Sequence, residues 1–137
     1  MPICKAIWTD GVRFLHTSSS GHALVTDAPE TVGGGNSAPT PMELVLHALI
    51  GCQGVDLAMM LNKMKQPFTN LEITAEAERR DEHPRIYKNI ALHVTIRGEV
   101  SEKKLLRAMD LSLNTYCSVA GMIQDTTAIT QTHTILK

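Results

Sequence analysis

The chain reads as an α+β domain, and three observations carry that reading. Short alternating segments, punctuated by Asp10-Gly11 and Ser20-Gly21, open the sequence. One capped and almost wholly apolar helix occupies the middle, at residues 41–65. Longer alternating segments and two shorter helical stretches make up the rest. Strand runs with segregated helices predict antiparallel sheets packed around a long buried central helix. At 137 residues, the whole of 1–137 is expected to form one domain with a core of its own.

The first strands are "ICKAIWT", "VRFLHTS" and "HALVTDA". "PETVGGGNSAPTP" follows, rich in Gly and Pro, and reads as a flexible connector; its "GGGNS" lacks the lysine of a phosphate-binding loop. The helix start is well marked. Thr40 stands at the N-cap, Pro41 at the first helical position, and Glu43 completes a T-x-x-E capping box. Being apolar almost all round, this helix is expected to be buried on most sides. Pro67 stops it near Lys65.

In "FTNLEITAEAERR", Leu71, Ile73, Ala75 and Ala77 alternate with polar residues. In "RIYKNIALHVTIRG", Ile86, Ile90, Leu92, Val94 and Ile96 share one face. With "RRDEHPR" as the turn, the two predict a long antiparallel hairpin with one wet face. Ser101 caps a helix over 102–114, a short helix over 117–125 starts at "CSVAGMIQD", and "AITQTHTILK" is a last strand.

Charge narrows the function classes. The formal net charge is −1, and the densest charged run, "ERRDEHPR", alternates acid with base, so no nucleic-acid partner is expected. Residues 42 to 61 approach the length of a membrane span, but Glu43, His47, Gln53 and Asp56 interrupt them and no second span follows. A buried helix without membrane partner is the expectation. "MPICKAIWTDG" has neither the basic start nor the apolar run of a signal peptide. Three cysteines without close spacing do not make a secreted disulfide scaffold, which points to the cytoplasm. So apolar a helix in a chain with few covering elements calls for a second copy, a homodimer.

Two cysteines remain to be explained. Cys52 sits mid-helix between Gly51 and Gly54. Free cysteine is among the most buried residue types and can simply fill a core. Helical glycines cost about 1 kcal/mol each relative to alanine, however, which suggests close approach of another backbone or a ligand. Cys117 opens a helix, where the macrodipole favours a thiolate and lowers the thiol pKa. A shielded nucleophile with a second thiol is what two-step peroxide reduction needs: sulfenic acid first, disulfide second. Cys4, in an edge-like strand, reads as structural. The six histidines show no H-x-x-x-H spacing and there is no C-x-x-C, so no metal site is expected. His47, about 140° round the helix from Cys52, is a poor base for it.

"APTPMELVLHALIGCQGVD", followed far downstream by "NTYCSVAGMI", resembles the OsmC/Ohr family of osmotically inducible and organic-hydroperoxide-resistance proteins. The resemblance covers nearly the whole chain and is nearest to the small OsmC-like branch. It implies an intertwined α+β homodimer with active sites at the subunit interface. It also implies reduction of organic hydroperoxides, with Cys52 as the peroxidatic and Cys117 as the resolving cysteine. No metal, flavin or other cofactor is implied, and the reductant is an external dithiol of the lipoyl type.

Two departures bear on that expectation. The family's peroxidases carry a glutamate directly after the helix-start proline, orienting a catalytic arginine; here that position is Met42, and the acid follows as Glu43. At about 100° per residue, Glu43 lies half a turn round the helix from Cys52. The family's arginine comes from the N-terminal strands, where Arg13 is the candidate; alternating with Val12 and Phe14, it equally suits a solvent-facing strand position. Arg79, Arg80 and Arg85, at the hairpin turn, read as solvated. The expected constellation is Cys52 and Cys117, with Arg13, and after it Glu43, as thiolate stabilisers. Met59 and Met60 would line an apolar substrate pocket. The alternatives are a non-catalytic protein binding a hydrophobic or thiol-reactive small molecule, and a disulfide-exchange protein.

Overall fold

In a computed structural model that describes all of residues 1–137, the chain divides into two units, Met1–Leu46 and His47–Lys137. The first holds strands β1 (Cys4–Asp10), β2 (Arg13–Ser18) and β3 (Ala23–Thr26), joined as an antiparallel sheet in that order. Gly11 makes the first turn at a φ of 53°, a left-handed conformation that costs glycine little. Every residue of β1 is exposed, and the only buried residues of this unit are Thr26 and Asp27.

Helix α1 (Pro41–Lys63) starts as its capping box predicts. The Thr40 backbone N–H donates to Glu43 Oε1 at 3.0 Å, and the Glu43 N–H donates to Thr40 Oγ1 at 3.1 Å. It ends slightly earlier than the sequence suggests, with Lys65 in the left-handed region at a φ of 56°. By length and composition α1 could cross a membrane. Leu49, Gln53, Leu57 and Leu61, spaced four apart, form one buried stripe along it. Within one chain Val55 and Met59 stay exposed, because the chain's own elements cover a single face and leave the rest for the expected second copy.

The second unit is built on β4 (Phe68–Arg79) and β5 (Tyr87–Gly98), antiparallel over their length, with Ile73 opposite Val94 and Ala75 opposite Leu92. Ile90, Leu92, Val94 and Ile96 are all buried, as their shared face predicts. Helix α2 (Glu102–Leu111), a π-helical turn (Ser112–Tyr116) and helix α3 (Ser118–Ile123) then lead to β6 (Ala128–Leu136). Here the all-antiparallel expectation is corrected, since β6 runs parallel to β5. A parallel neighbour needs a crossover, and α2, the π turn and α3 supply it. The core gathers Leu57 and Leu61 of α1, Val94 and Ile96 of β5, and Leu105, Ala108 and Met109 of α2.

Candidate thiol site

Cys52 and Asp56 are one helical turn apart on α1 and so share a face. Cys117 reaches the same place from the crossover. The extra residue per turn of the π segment widens the helix, and the chain leaves it at Cys117, whose N–H donates to the Ser112 carbonyl at 2.7 Å. The sulfurs of Cys52 and Cys117 and a carboxylate oxygen of Asp56 all lie within 4.8 Å of one another. Ser112, wholly buried, donates its hydroxyl to Asp56 Oδ2 at 2.8 Å.

Cys117 caps α3, its sulfur accepting from the Ala120 N–H at 3.4 Å. Yet burial pushes its thiol up to about 11; the Ala120 N–H pulls the other way, and a hydrogen bond and charge interaction with Cys52 raise it further. The lowering expected from a helix start is thereby corrected. A six-residue helix offers two useful N–H groups, from Ala120 and Val119, and desolvation of a nearly buried sulfur outweighs them.

A partly buried amide bridge ties thiol-bearing α1 to α2, the helix that leads to Cys117. Gln53, next to Cys52, donates to Gln131 Oε1 at 2.9 Å, and Gln131 donates to the Met109 carbonyl at 3.2 Å. The bridge thus runs from α1 through β6 to α2. Beside the cluster, a groove of about 510 Å³ takes Asp56 as part of its wall. Met59, Met60 and Tyr116 give it an apolar lining, and Lys63 and Arg107 supply cationic ends. A second groove, of about 340 Å³, has Gly51, Gly54, His47 and Ile73 in its wall. No backbone closes on the two glycines. A Cβ at Gly51 would meet nothing within 4 Å, and one at Gly54 would make ordinary contact, at 3.7 Å, with Ile73. Within one chain the two glycines therefore border an open groove, which leaves room for the ligand or second backbone their presence suggests.

Arg13 and Glu43 belong to the first unit. Glu43 is engaged in the capping box. Arg13 pairs with Asp10 at 2.6 Å and with Asp27 at 3.5 Å, and donates to Ser37 Oγ at 2.8 Å. Asp27 organises the segment that reads as flexible. It accepts from the Ser37 hydroxyl at 2.7 Å and from the N–H groups of Ser37, Ala28 and Gly35. These bonds, foremost that of the Ser37 hydroxyl, hold its carboxyl well below the usual carboxylate range. Gly34 has to be glycine, because a Cβ there would collide with the Ala28 backbone. "GGGNS" is therefore a tied loop. Asp56, Ser112 and Gln131 were not singled out as site residues by sequence reasoning. For Asp56 the signal was present: an acid four residues after a cysteine in an otherwise apolar helix.

A capped α1 thus carries one thiol, and the crossover carries a second beside it. The family model described as OsmC-like protein matches residues 34–132, and the chain belongs to that family. Its relatives include Protein YhfA of Escherichia coli K12, 37% identical over 130 residues that make up 94% of each chain. Among solved structures, a hypothetical protein from Aquifex aeolicus is 29% identical with a TM-score of 0.87, covering 98% of this chain and 96% of that one. An organic hydroperoxide resistance protein OsmC from Legionella pneumophila shares the fold at a TM-score of 0.76 and 18% identity, covering 98% and 96%.

Proposed function

We propose that this chain is a thiol-dependent peroxidase for organic hydroperoxides, acting as a cytoplasmic homodimer in oxidative-stress defence. One observation carries the reading: Cys52 and Cys117, 65 positions apart in sequence, have their sulfurs within 4.8 Å. Thiol rotation can close that gap to a disulfide bond of about 2.05 Å. In the cycle, the Cys52 thiolate attacks the distal peroxide oxygen. The O–O bond breaks, and the alkoxide takes a proton and leaves as alcohol. Cys117 then attacks the Cys52 sulfenic sulfur; hydroxide departs and takes the Cys117 proton to form water. Asp56, beside both sulfurs, is placed to relay that proton. An external dithiol of the lipoyl type returns the disulfide to two thiols and is itself oxidised. The resemblance assigns Arg13, and after it Glu43, to thiolate stabilisation, and slower first-step oxidation of Arg13→Met is the corresponding measurement.

The Met-lined groove favours an apolar substrate. Ile7, Trp8, Phe14, Val55 and Met59 leave apolar surface exposed on one chain, which supports a second copy as cover. Sedimentation of the purified protein at two concentrations tests the dimer. For the chemistry, the reduced protein is treated with one equivalent of cumene hydroperoxide and weighed intact. Loss of two hydrogens is expected in the wild type, gain of one oxygen in Cys117→Ser, and no change in Cys52→Ser. Survival of both thiols would overturn the reading. Met42, where the family's peroxidases carry glutamate, favours the second reading, a non-catalytic binder of hydrophobic or thiol-reactive molecules. A ligand retained in the groove without turnover would support it.

A further inference from the structure

We propose that Cys52, Cys117 and Asp56 form a binding site for a thiophilic divalent cation of the zinc type. Three ligand atoms from two separate segments lie within 4.8 Å of one another. Zinc binds thiolates at about 2.3 Å and carboxylates at about 2.0–2.2 Å, so tetrahedral ligands sit roughly 3.5–4 Å apart. From separations of at most 4.8 Å the cluster needs no more than about 1 Å of contraction.

The donor set selects the metal. Two sulfurs favour zinc and other soft cations over magnesium and calcium, which take oxygen ligands. The surroundings are those of a supported site. Ser112 holds Asp56 Oδ2, as carboxylate ligands are commonly held by hydrogen bonds. The Gln53–Gln131–Met109 bridge ties the helix that carries Cys52 to α2, the helix that leads through the π turn to Cys117. Binding displaces one proton from each thiol, so two thiolates and a carboxylate face a doubly charged ion and leave one net negative charge. Lys63 and Arg107, in the groove that shares Asp56, are placed to offset it. Three protein ligands leave the fourth tetrahedral position to water or a small anion.

This site does not depend on peroxide chemistry. Where that chemistry operates, a bound cation withholds both sulfurs from peroxide, and the cation becomes a reversible inhibitor.

The test uses the full chain, reduced and freed of metal without oxygen, titrated with zinc against a colorimetric chelator. One zinc per chain is expected, with affinity falling at least tenfold in Cys52→Ser, Cys117→Ser and Asp56→Asn. Cys4→Ser, which changes an exposed thiol elsewhere, should leave it unchanged. Absence of stoichiometric binding, or binding that survives both Cys52→Ser and Asp56→Asn, would overturn the proposal. Should Asp56→Asn fail to fold, zinc-edge X-ray absorption on the wild type decides. Two sulfurs near 2.3 Å with oxygen near 2.0 Å are expected; a shell without sulfur would overturn it. Because the readout is metal affinity, its failure is separable from a failure of peroxide oxidation.

Discussion

The two three-stranded sheets are held by opposite means. The β4–β5–β6 sheet buries Ile90, Leu92, Val94 and Ile96 and meets α1 and α2 in a dry core. The β1–β2–β3 sheet buries no apolar residue, and its fixed point is a carboxylate: Asp27, ringed by Ser37, Ala28 and Gly35 and paired with Arg13. Apolar cores accept one apolar side chain for another of the same size but are sensitive to volume. A polar hub is the reverse, tolerant of volume but failing when a single acceptor is lost. The candidate thiol site lies in the unit with the dry core, where shape is most strongly enforced.

The largest effect should come from the dry core. Leu57→Ala removes a side chain with no exposure and is expected to cost about 2–5 kcal/mol in urea unfolding. Next comes Asp27→Asn, which strikes the polar hub. Since folding lowers the Asp27 pKa, the unfolded chain binds more protons between the two values, and stability rises with pH across that interval. The deficit of Asp27→Asn should therefore be complete at neutral pH and shrink as pH falls below about 4. Hydrogen exchange localises it: amides of β2 and β3 should lose protection first. Unchanged protection there would break the contrast between the two sheets.

Gln131→Leu leaves the Gln53 amide without its partner and removes one of the donors to the Met109 carbonyl, at an expected cost of about 1–3 kcal/mol. It should also slow disulfide formation between Cys52 and Cys117, measured by quenched-flow thiol counting. Thr40→Ala is the smallest, about 1 kcal/mol, through loss of one cap acceptor. Its melting curve should shift without any change in thiol reactivity.

What could be read in advance follows from range. The Thr40–Glu43 box and the β4–β5 alternation are local patterns, and both stand where the residues put them. The direction of β6 was hidden, because an alternating "AITQTHTIL" looks the same run either way. The π turn was hidden too, since nothing in "SLNTY" marks one added residue. For Cys117 the helix start was legible and the burial was not, so the direction of its pKa came out reversed. The partners of Arg13 were out of reach for the same reason: Asp27 and Ser37 lie 14 and 24 positions away. Pairing Cys52 with Cys117 drew on family resemblance, because no spacing rule spans 65 positions.

The parallel strand β6 has a consequence for biosynthesis. Cys52, Asp56, Ser112 and Cys117 are all joined to the chain before Ala128, the first residue of β6, is added. Yet Gln131, inside that strand, links the helix that carries Cys52 to the helix that leads to Cys117. A nascent chain therefore holds both thiols for a time without the strand that fixes their spacing. Pairing of the final strand completes the arrangement, so the order of translation delays it until the sheet is whole.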